Sequence, residues 1–299
     1  MRVSFLLPLL AVVAVANPFA RGVSSSSVQQ SFFAESAAYE RFMGRWSRQV
    51  APLLVQFAEV RDGQAVLDIG SGTGALALAV ARAAPTAPIT GVDPSASYVS
   101  YAQQNAPSER VRFVVGDAQA LQMSDASFDR VLSLFVMNFI PDRAKALREM
   151  IRVTRPDGVV AAAVWDYGDG MQMLRVFWDE AVALDPAVAP RDERNMPLCK
   201  PGELAALWRE HGLGQVEEQP LTIRMSFSSF EDYWEPFLGG QGPAGAYVAS
   251  LSETRRDALR TRIRQRLVGN NPDRPFALDA RAWAVKGLVR RVPGGARQP

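Results

Sequence analysis

The chain has 299 residues, of which 48% are hydrophobic, so it has enough material for one large domain with additions. Its formal net charge of +2 gives no general reason to expect a nucleic-acid partner. The single cysteine, Cys199, excludes an internal disulfide and a thiolate metal cluster. With one histidine, His211, a metal site would need carboxylates alone, and we expect no metal.

Residues 1–27 are predicted to be a leader outside the folded protein. A charged start precedes 14 apolar residues (3–16) that end in Ala14-Val15-Ala16, as in a secretory signal peptide. The run is too short to span a membrane comfortably, so we expect no stable membrane span. Either the protein is exported or the start codon is assigned too early. Because no disulfide framework points to an oxidising compartment, we expect a cytoplasmic protein.

Residues 28–60 are predicted to be helical. Tyr39, Phe42, Arg45 and Trp46 recur at helical spacing. Such a stripe is explained by ordinary packing against a sheet. The functional alternative is a lid over a binding site, with Tyr39 and Arg45 facing the ligand.

Residues 66–74 (VLDIGSGTG) predict a strand that turns sharply into a helix. The apolar run contains Asp68, and three glycines at alternate positions, Gly70, Gly72 and Gly74, lead into a helical pattern at 75–84. Glycine permits positive φ and leaves room for a ligand beside the backbone. A glycine-rich loop alone is weak evidence, because several nucleotide-binding folds use one.

Strand and helix patterns alternate after this loop, which predicts an α/β fold. Short apolar runs between helices indicate a parallel sheet that is buried on both faces. Pro141 suits the first turn of a helix, and residues 155–158 are predicted to be a turn. Predicted strands cover 66–69, 87–93, 111–117, 128–135, 158–165, 215–227 and 277–289; predicted helices cover 75–84, 95–105, 141–155, 171–184 and 204–213.

Three acids close the first three predicted strands. Asp93 lies 25 residues after Asp68, and Asp117 lies 24 after Asp93, which is one strand–helix unit each time. Ligands of parallel sheets bind at the carboxyl ends of the strands. There Asp93 could accept both hydroxyls of a ribose, Asp117 could accept from an exocyclic amine, and Asp68 could meet a cationic head group. Alternatively, each acid only caps the helix that follows it.

Five segments together resemble class I S-adenosylmethionine-dependent methyltransferases, of the type-11 group that includes quinone-biosynthesis C-methyltransferases. They are LDIGSGTG, GVDPS (91–95), GDAQAL (116–121), FDRVLSLFVMNFIPD (128–142) and ALREMIRVTRPDG (146–158). The resemblance covers about residues 60–166. One departure is visible: the family usually has Gly-Gly where this chain has Asp157-Gly158, and aspartate tolerates turn conformations.

The resemblance implies a Rossmann-like, seven-stranded, mostly parallel sheet whose last strand is antiparallel, with helical additions at the N-terminus and between the last two strands. It also implies S-adenosyl-L-methionine as cofactor and methyl transfer to carbon or oxygen of a small molecule. The glycines would wrap the methionine part, and residues leaving strand four would approach the methyl group. The implied cofactor-binding residues are Tyr39, Asp68, Gly70, Gly72, Gly74, Asp93, Pro94, Asp117, Ala118, Ser133 and Leu134.

Two other functions fit part of the pattern. Gly70-x-Gly72-x-x-Ala75 satisfies the dinucleotide fingerprint, with Asp93 as a ribose acid, so an NAD(P)-dependent oxidoreductase is one alternative. Asp68, Asp117 and the turn before strand five speak against it. The other alternative is a non-catalytic regulatory protein that binds the cofactor.

The domain prediction assigns residues 61–166 to the cofactor-binding core and 167–299 to the C-terminal half of the fold. An insertion at about 228–270 holds Phe230, Tyr233, Trp234 and Phe237 and an arginine-rich helix. It is a candidate substrate lid, although core packing explains most of its aromatics. No catalytic residue has a clear signature. The candidates are Asn138, Asp166 and Tyr167, with Asp169 as a further candidate base and Trp165 as a wall of the site.

Overall fold

A computed structural model describes residues 36–290, so the predicted leader lies outside the described residues. Seven strands form one sheet in the order β3-β2-β1-β4-β5-β7-β6. The first five strands pair in parallel, and β7 is antiparallel to both β5 and β6. The predicted fold class is therefore confirmed. The strands are β1 (Val66–Ile69), β2 (Ile89–Asp93), β3 (Val111–Val115), β4 (Phe128–Leu134), β5 (Thr154–Trp165), β6 (Gly214–Phe227) and β7 (Phe276–Leu288).

Helices cover both faces of this sheet and add a layer at its C-terminal half. Within residues 36–290, no helix is long and apolar enough to cross a membrane. The helices are α1 (Arg45–Phe57), α2 (Ala75–Ala83), α3 (Ala96–Gln104), α4 (Arg143–Val153), α5 (Gln172–Leu184), α6 (Glu203–Glu210), α7 (Phe230–Trp234), α8 (Gly242–Ala249) and α9 (Glu253–Leu267).

Helix α4 begins later than Pro141 predicted. Asp142 caps it, because its carboxylate accepts a hydrogen bond from the Lys145 amide at 2.8 Å. A side-chain acceptor at the cap position satisfies an amide that the helix itself leaves unpaired. Pro141 therefore lies outside the helix, and the prediction that placed it in the first turn is wrong.

The turn predicted at 155–158 is a bulge inside strand β5. Thr154 pairs with Phe128 and Val159 with Arg130, so the four residues between Thr154 and Val159 are looped out of the ladder. Asp157 has a φ of +64°, the left-handed conformation that glycine and aspartate tolerate best. The aspartate that departs from the family pattern thus occupies a position that requires positive φ.

The N-terminal segment enters as a helix that widens into a π turn at Glu40–Gly44 and continues as α1. Trp46 is buried on the face that packs toward the sheet. Arg45 does not face the cleft. Its guanidinium donates to the Asp232 carboxylate at 2.6 Å and to the Asp232 carbonyl at 3.0 Å. The prediction for Arg45 is wrong, because an acid 187 positions later in the sequence binds its guanidinium.

The helices between β6 and β7 contribute to the core. Phe230, Tyr233, Trp234 and Phe237 are all buried, as ordinary packing predicted. Phe237 stacks on Phe177 of α5 with ring centroids 4.7 Å apart. These helices therefore complete the hydrophobic core of the C-terminal half of the sheet.

The arginine-rich helix α9 forms ion pairs with α5. Arg262 lies 2.9 Å from Glu180, and Arg266 lies 3.0 Å from Asp179. Single surface pairs stabilise little, but several on one helix fix its position. Arginines of α9 thus face acids of this chain.

Phe237→Ala should lower the free energy of unfolding by about 3–5 kcal/mol, because it removes a fully buried aromatic ring and leaves a cavity. Leu238→Ala at the neighbouring position is the matched control. The Leu238 side chain is 48% exposed, so its removal should change the free energy of unfolding little. Urea unfolding followed by fluorescence measures both. Equal effects of the two substitutions would show that the insertion is not part of the core.

Candidate active site

A cleft opens at the carboxyl ends of β1, β2 and β4, where the strand order reverses on either side of β1. Its cavity volume is about 180 Å³. Reversal points of parallel sheets are where such folds bind ligands. Its lining comprises Tyr39, Ser47, Asp68, Gly70, Ser71, Gly72, Thr73, Ala75, Leu76, Asp93, Tyr98, Leu134, Phe135, Val136 and Phe139.

The glycine loop forms the floor of this cleft. Gly70 has a φ of +68°, and a Cβ there would lie 2.4 Å from a methyl group of Val136. Only glycine satisfies both the conformation and the close approach of the two chains. Gly74 is left-handed as well and is the residue from which α2 begins. Gly74 does not line the cleft, so its role is to turn the chain.

Asp68 is buried beneath the loop, and its two oxygens differ. Oδ2 accepts a hydrogen bond from the Ala77 amide at 3.0 Å, in the first turn of α2. Oδ1 has no hydrogen-bond partner among the described residues, although it is buried. Burial raises the pKa of Asp68 to about 7, and the nearby charge of Asp93 adds to the effect. An unpaired buried carboxylate oxygen is costly, and a cationic ligand group would satisfy it.

Asp93 holds the loop in place from the end of β2. One carboxylate oxygen accepts from the Gly72 amide at 2.9 Å, and the other accepts from the Ser95 amide at 2.9 Å. Burial raises the pKa of Asp93, while these two bonds oppose the rise. Each carboxylate oxygen can accept a second bond. The capping function and a ligand-binding function are therefore compatible in one side chain.

Besides Gly74, four of the sequence-predicted cofactor residues lie away from the cleft wall. Ser133 is fully buried, and its hydroxyl donates to the Ile69 carbonyl at 3.0 Å, while the next residue, Leu134, lines the cleft. Successive residues of a strand point to opposite faces, which explains the difference. Pro94 and Asp117 are exposed and Ala118 is half-buried, at the same edge of the sheet. Two bonds from Gln119 lower the pKa of Asp117.

The N-terminal segment covers the cleft, and here Tyr39 lines it as predicted. The Tyr39 ring packs against Tyr98 of α3, with centroids 5.4 Å apart. The Glu40 carboxylate accepts from the Thr73 hydroxyl in the glycine loop. The sequence reasoning missed Tyr98 and Phe139, although both fall in or beside the quoted motifs. In the sequence, these two residues are distinguished only as aromatic side chains that follow β2 or β4.

The three catalytic candidates have different surroundings. Asp166 accepts two bonds from Arg281, at 2.9 and 2.6 Å, so a permanent ion pair binds it. Asn138 and Tyr167 are both buried, and the Asn138 amide group donates to the Met196 sulfur at 3.5 Å. The predicted wall residue, Trp165, stacks on Phe135 with centroids 4.1 Å apart, and Phe135 lines the cleft.

Sheet order, the single antiparallel strand and the glycine cleft define a Rossmann-like class I methyltransferase fold. Residues 67–162 match the sequence profile of a family described as "Methyltransferase domain". This segment is therefore a methyltransferase domain, and the resemblance inferred from the motifs is confirmed. A solved structure, a putative methyltransferase from an antibiotic biosynthesis pathway of Anabaena variabilis, has a TM-score of 0.57 and 19% identity over 80% of this chain and 97% of that one.

Two curated relatives are similar over the same region. The demethylmenaquinone methyltransferase of Staphylococcus aureus is 40% identical over 103 residues, which is 34% of this chain and 43% of that protein. The malonyl-[acyl-carrier protein] O-methyltransferase of Geobacter sulfurreducens is 33% identical over 150 residues, 50% of this chain and 55% of that protein. The chain thus spans about half the length of these relatives.

Asp68 makes the stability of the ligand-free protein depend on pH. Its folded pKa, about 7, lies above its ordinary value, so the folded state keeps a proton that the unfolded state releases. Stability should therefore fall as the pH rises toward 7. Between about pH 5 and 8, the free energy of unfolding of the unaltered protein should fall by up to about 3 kcal/mol because of this group. Asp68→Asn should not show this fall.

Urea unfolding at the two pH values measures this difference. Asp117→Asn is the control at the same edge of the sheet, because the pKa of Asp117 is lowered and its titration ends below this window. Parallel pH profiles of the unaltered protein and Asp68→Asn would show that Asp68 is not the titrating group.

Proposed function

We propose that this chain transfers a methyl group from S-adenosyl-L-methionine to a small-molecule acceptor. The observation that carries the proposal is the unpartnered Oδ1 of Asp68 beneath a glycine loop, inside the methyltransferase domain. It offers a buried negative charge to a ligand that carries an ammonium group. The names of the relatives, quinone and acyl-carrier-protein methyltransferases, support a small-molecule or carrier-bound acceptor.

The residues of the cleft fit the proposed cofactor group by group. Asp68 would bind the ammonium group, the backbone at Gly70 and Gly72 the methionine part, and Asp93 the ribose hydroxyls. Pro94, Asp117 and Ala118, at the same edge of the sheet, would contact the adenine end. Leu134 and Tyr39 would enclose the reacting end.

When bound, the cofactor supplies a sulfonium methyl group that is already a strong donor. The chain then contributes mainly alignment and exclusion of water. Tyr39 and the Glu40–Thr73 contact close the cleft from above, and Phe135, stacked on Trp165, forms a flat aromatic wall. A proton acceptor is needed only if the acceptor group must lose a proton as it reacts.

A label-transfer experiment tests the proposal against its alternatives. The protein is incubated with methyl-labelled S-adenosylmethionine and a small-molecule extract, and labelled products are identified by mass spectrometry. Transfer above a heat-inactivated control supports an enzyme. Binding of the cofactor by calorimetry without transfer would support the regulatory alternative, and binding of NADH in its place would support the oxidoreductase.

Asp93→Ala should weaken S-adenosylmethionine binding by about 10²-fold or more, because two charge-assisted hydrogen bonds to the ribose are lost. Asp93→Asn should fall between, since an amide keeps one acceptor oxygen. Stability without ligand should also fall, by roughly 1–2 kcal/mol, because the Gly72 and Ser95 amides lose their partner. Calorimetry and thermal melts measure the two effects.

Asp62→Ala is the matched control. The Asp62 carboxylate also accepts from a backbone amide, that of Thr86 at 2.7 Å, but it lies outside the cleft. It should leave cofactor affinity unchanged. Unchanged affinity in Asp93→Ala as well would remove Asp93 from the site.

Cofactor affinity should rise with pH and level off near pH 7. The Asp68 carboxyl, whose pKa is about 7 without ligand, must release its proton before it can bind an ammonium group. Below that pH the affinity should change by about tenfold per pH unit, as expected for one released proton. Asp68→Asn should bind weakly with no such step, and calorimetry from about pH 5.5 to 8 shows whether the step disappears.

We propose the cytoplasm as the working compartment, because S-adenosylmethionine is an intracellular cofactor. Cell fractionation with immunodetection tests this. We also propose that nucleic acid is not a substrate, since arginines of α9 are paired with acids of the same chain. Label transfer into added RNA or DNA would contradict it.

A further inference from the structure

The N-terminal segment and the glycine loop meet at the cleft. Tyr39 and Ser47 of the segment and Thr73 of the loop all line it. Its volume of about 180 Å³ lies below the roughly 300–1,000 Å³ of typical small-molecule sites. A molecule the size of S-adenosylmethionine therefore enters or leaves only when part of the lining moves. The N-terminal segment precedes β1, so it can move without breaking the hydrogen bonds of a strand.

The Glu40 carboxylate connects the segment to the loop. Its Oε1 accepts a hydrogen bond from the Thr73 hydroxyl at 2.5 Å, across 33 positions of the sequence. Its Oε2 accepts from the guanidinium of Arg48, which lies farther along on α1. The Glu40 side chain is 15% exposed and Thr73 is buried, so water competes little for the bond between them. A hydrogen bond to a charged group is among the stronger kinds.

Gly44 leaves the space in which this carboxylate lies. Its φ of −56° and ψ of −40° are ordinary for a helix, so the backbone does not require glycine here. A Cβ at this position would lie 2.5 Å from Glu40 Cδ and 2.6 Å from Glu40 Oε1, which is too close for atoms that are not bonded. Glycine inside a helix is less stable than alanine. We therefore attribute Gly44 to the room that the Glu40 carboxylate needs.

Both sides of this contact have an unusual backbone. The π turn Glu40–Gly44 contains both residues, and such turns are rare and occur frequently at functional sites. On the loop, Gly72 and Gly74 flank Thr73 and are left-handed. The Gly72 amide donates to Asp93 at 2.9 Å. The loop is thus held from β2 by Asp93 and from the N-terminal segment by Glu40.

We propose that Glu40 is a positioning residue that holds the N-terminal segment on the glycine loop and so limits how fast the cofactor enters and leaves. This inference rests on the proposed binding of S-adenosylmethionine. The partners of Glu40 are groups of the protein, so their bonds form with or without cofactor. Loss of these bonds should therefore raise the association and dissociation rate constants together and change Kd little. A residue that binds the cofactor directly would change Kd instead.

Gly44→Ala tests the proposal without removing a charge, because its methyl group displaces the Glu40 carboxylate. S-adenosylhomocysteine should dissociate about tenfold faster from this variant, since a charge-assisted hydrogen bond is lost. Glu40→Ala should accelerate dissociation equally, as should Thr73→Val, which removes the donor at nearly constant volume.

The double variant of Glu40→Ala and Gly44→Ala separates the carboxylate from the helix. No carboxylate remains to be displaced, so the dissociation rate should equal that of Glu40→Ala alone. The Tm of the double variant should exceed that of Glu40→Ala, because alanine then only strengthens the helix. A purely structural effect of the added methyl group would give the same change with and without Glu40.

Radiolabelled S-adenosylhomocysteine is bound, chased with an excess of the unlabelled compound and followed by rapid filtration, which gives the dissociation rate constant. Calorimetry gives Kd, and the two values together give the association rate constant. Glu180→Ala is the matched control. The Glu180 side chain is also 15% exposed and also binds an arginine, Arg262 at 2.9 Å, but this partner belongs to α9. Its rate constants should equal those of the unaltered protein.

The outcomes separate this inference from the proposed function. Unchanged dissociation in Gly44→Ala and Glu40→Ala overturns the inference, and so does faster dissociation that is matched by an equal rise in Kd. A double variant that dissociates faster than Glu40→Ala also overturns it. Near-UV circular dichroism checks folding, and an unfolded Glu40→Ala leaves the decision to Gly44→Ala and Thr73→Val. Failure of the unaltered protein to bind S-adenosylhomocysteine contradicts the proposed function itself.

Discussion

The hydrogen bond between the Asp68 carboxylate and the Ala77 amide connects the first strand to the helix that follows it. It lies beneath three left-handed glycines, so the loop can turn sharply while its ends stay fixed. The bond uses one oxygen and leaves the other buried without a partner. Local stability and ligand affinity therefore depend on the same side chain. Burial of the unpaired second oxygen costs free energy, and a cationic ligand that binds this oxygen removes that cost.

A second carboxylate has the same dual character. Asp93 fixes the Gly72 amide and the start of α3, yet it lines the cleft. From the sequence alone, capping of the next helix and ligand binding were alternative functions of Asp93. They are compatible because a carboxylate has more acceptor positions than the two amides occupy. Substitution at such a residue changes folding and binding together, so both must be measured.

The first half of the fold was predictable because its signals are local. Apolar runs, glycines and strand-end acids all lie within a few residues of the feature that they specify. Even the aspartate at position 157 could be interpreted, since its conformation follows from the backbone at that point. Errors arose where a neighbour changed the outcome: Asp142 caps α4 in place of Pro141, and strand parity turns Ser133 away from the cleft.

The second half depends on contacts between residues far apart in sequence. Nothing near Arg45 indicates its bond to Asp232, and nothing near Asp166 indicates its pairing with Arg281. Spacing alone cannot carry that information.

An ion pair and a hydrogen bond join the N-terminal half of the chain to the insertion. Arg45 binds Asp232, and the Tyr98 hydroxyl, whose ring packs on Tyr39, donates to Gln241 at 3.3 Å. Two distant parts of the chain are therefore held together beside the segment that carries Tyr39. Because both side chains of the Arg45–Asp232 pair are partly exposed, dissolved salt weakens this pair, and the attachment of the N-terminal segment then depends more on its aromatic packing.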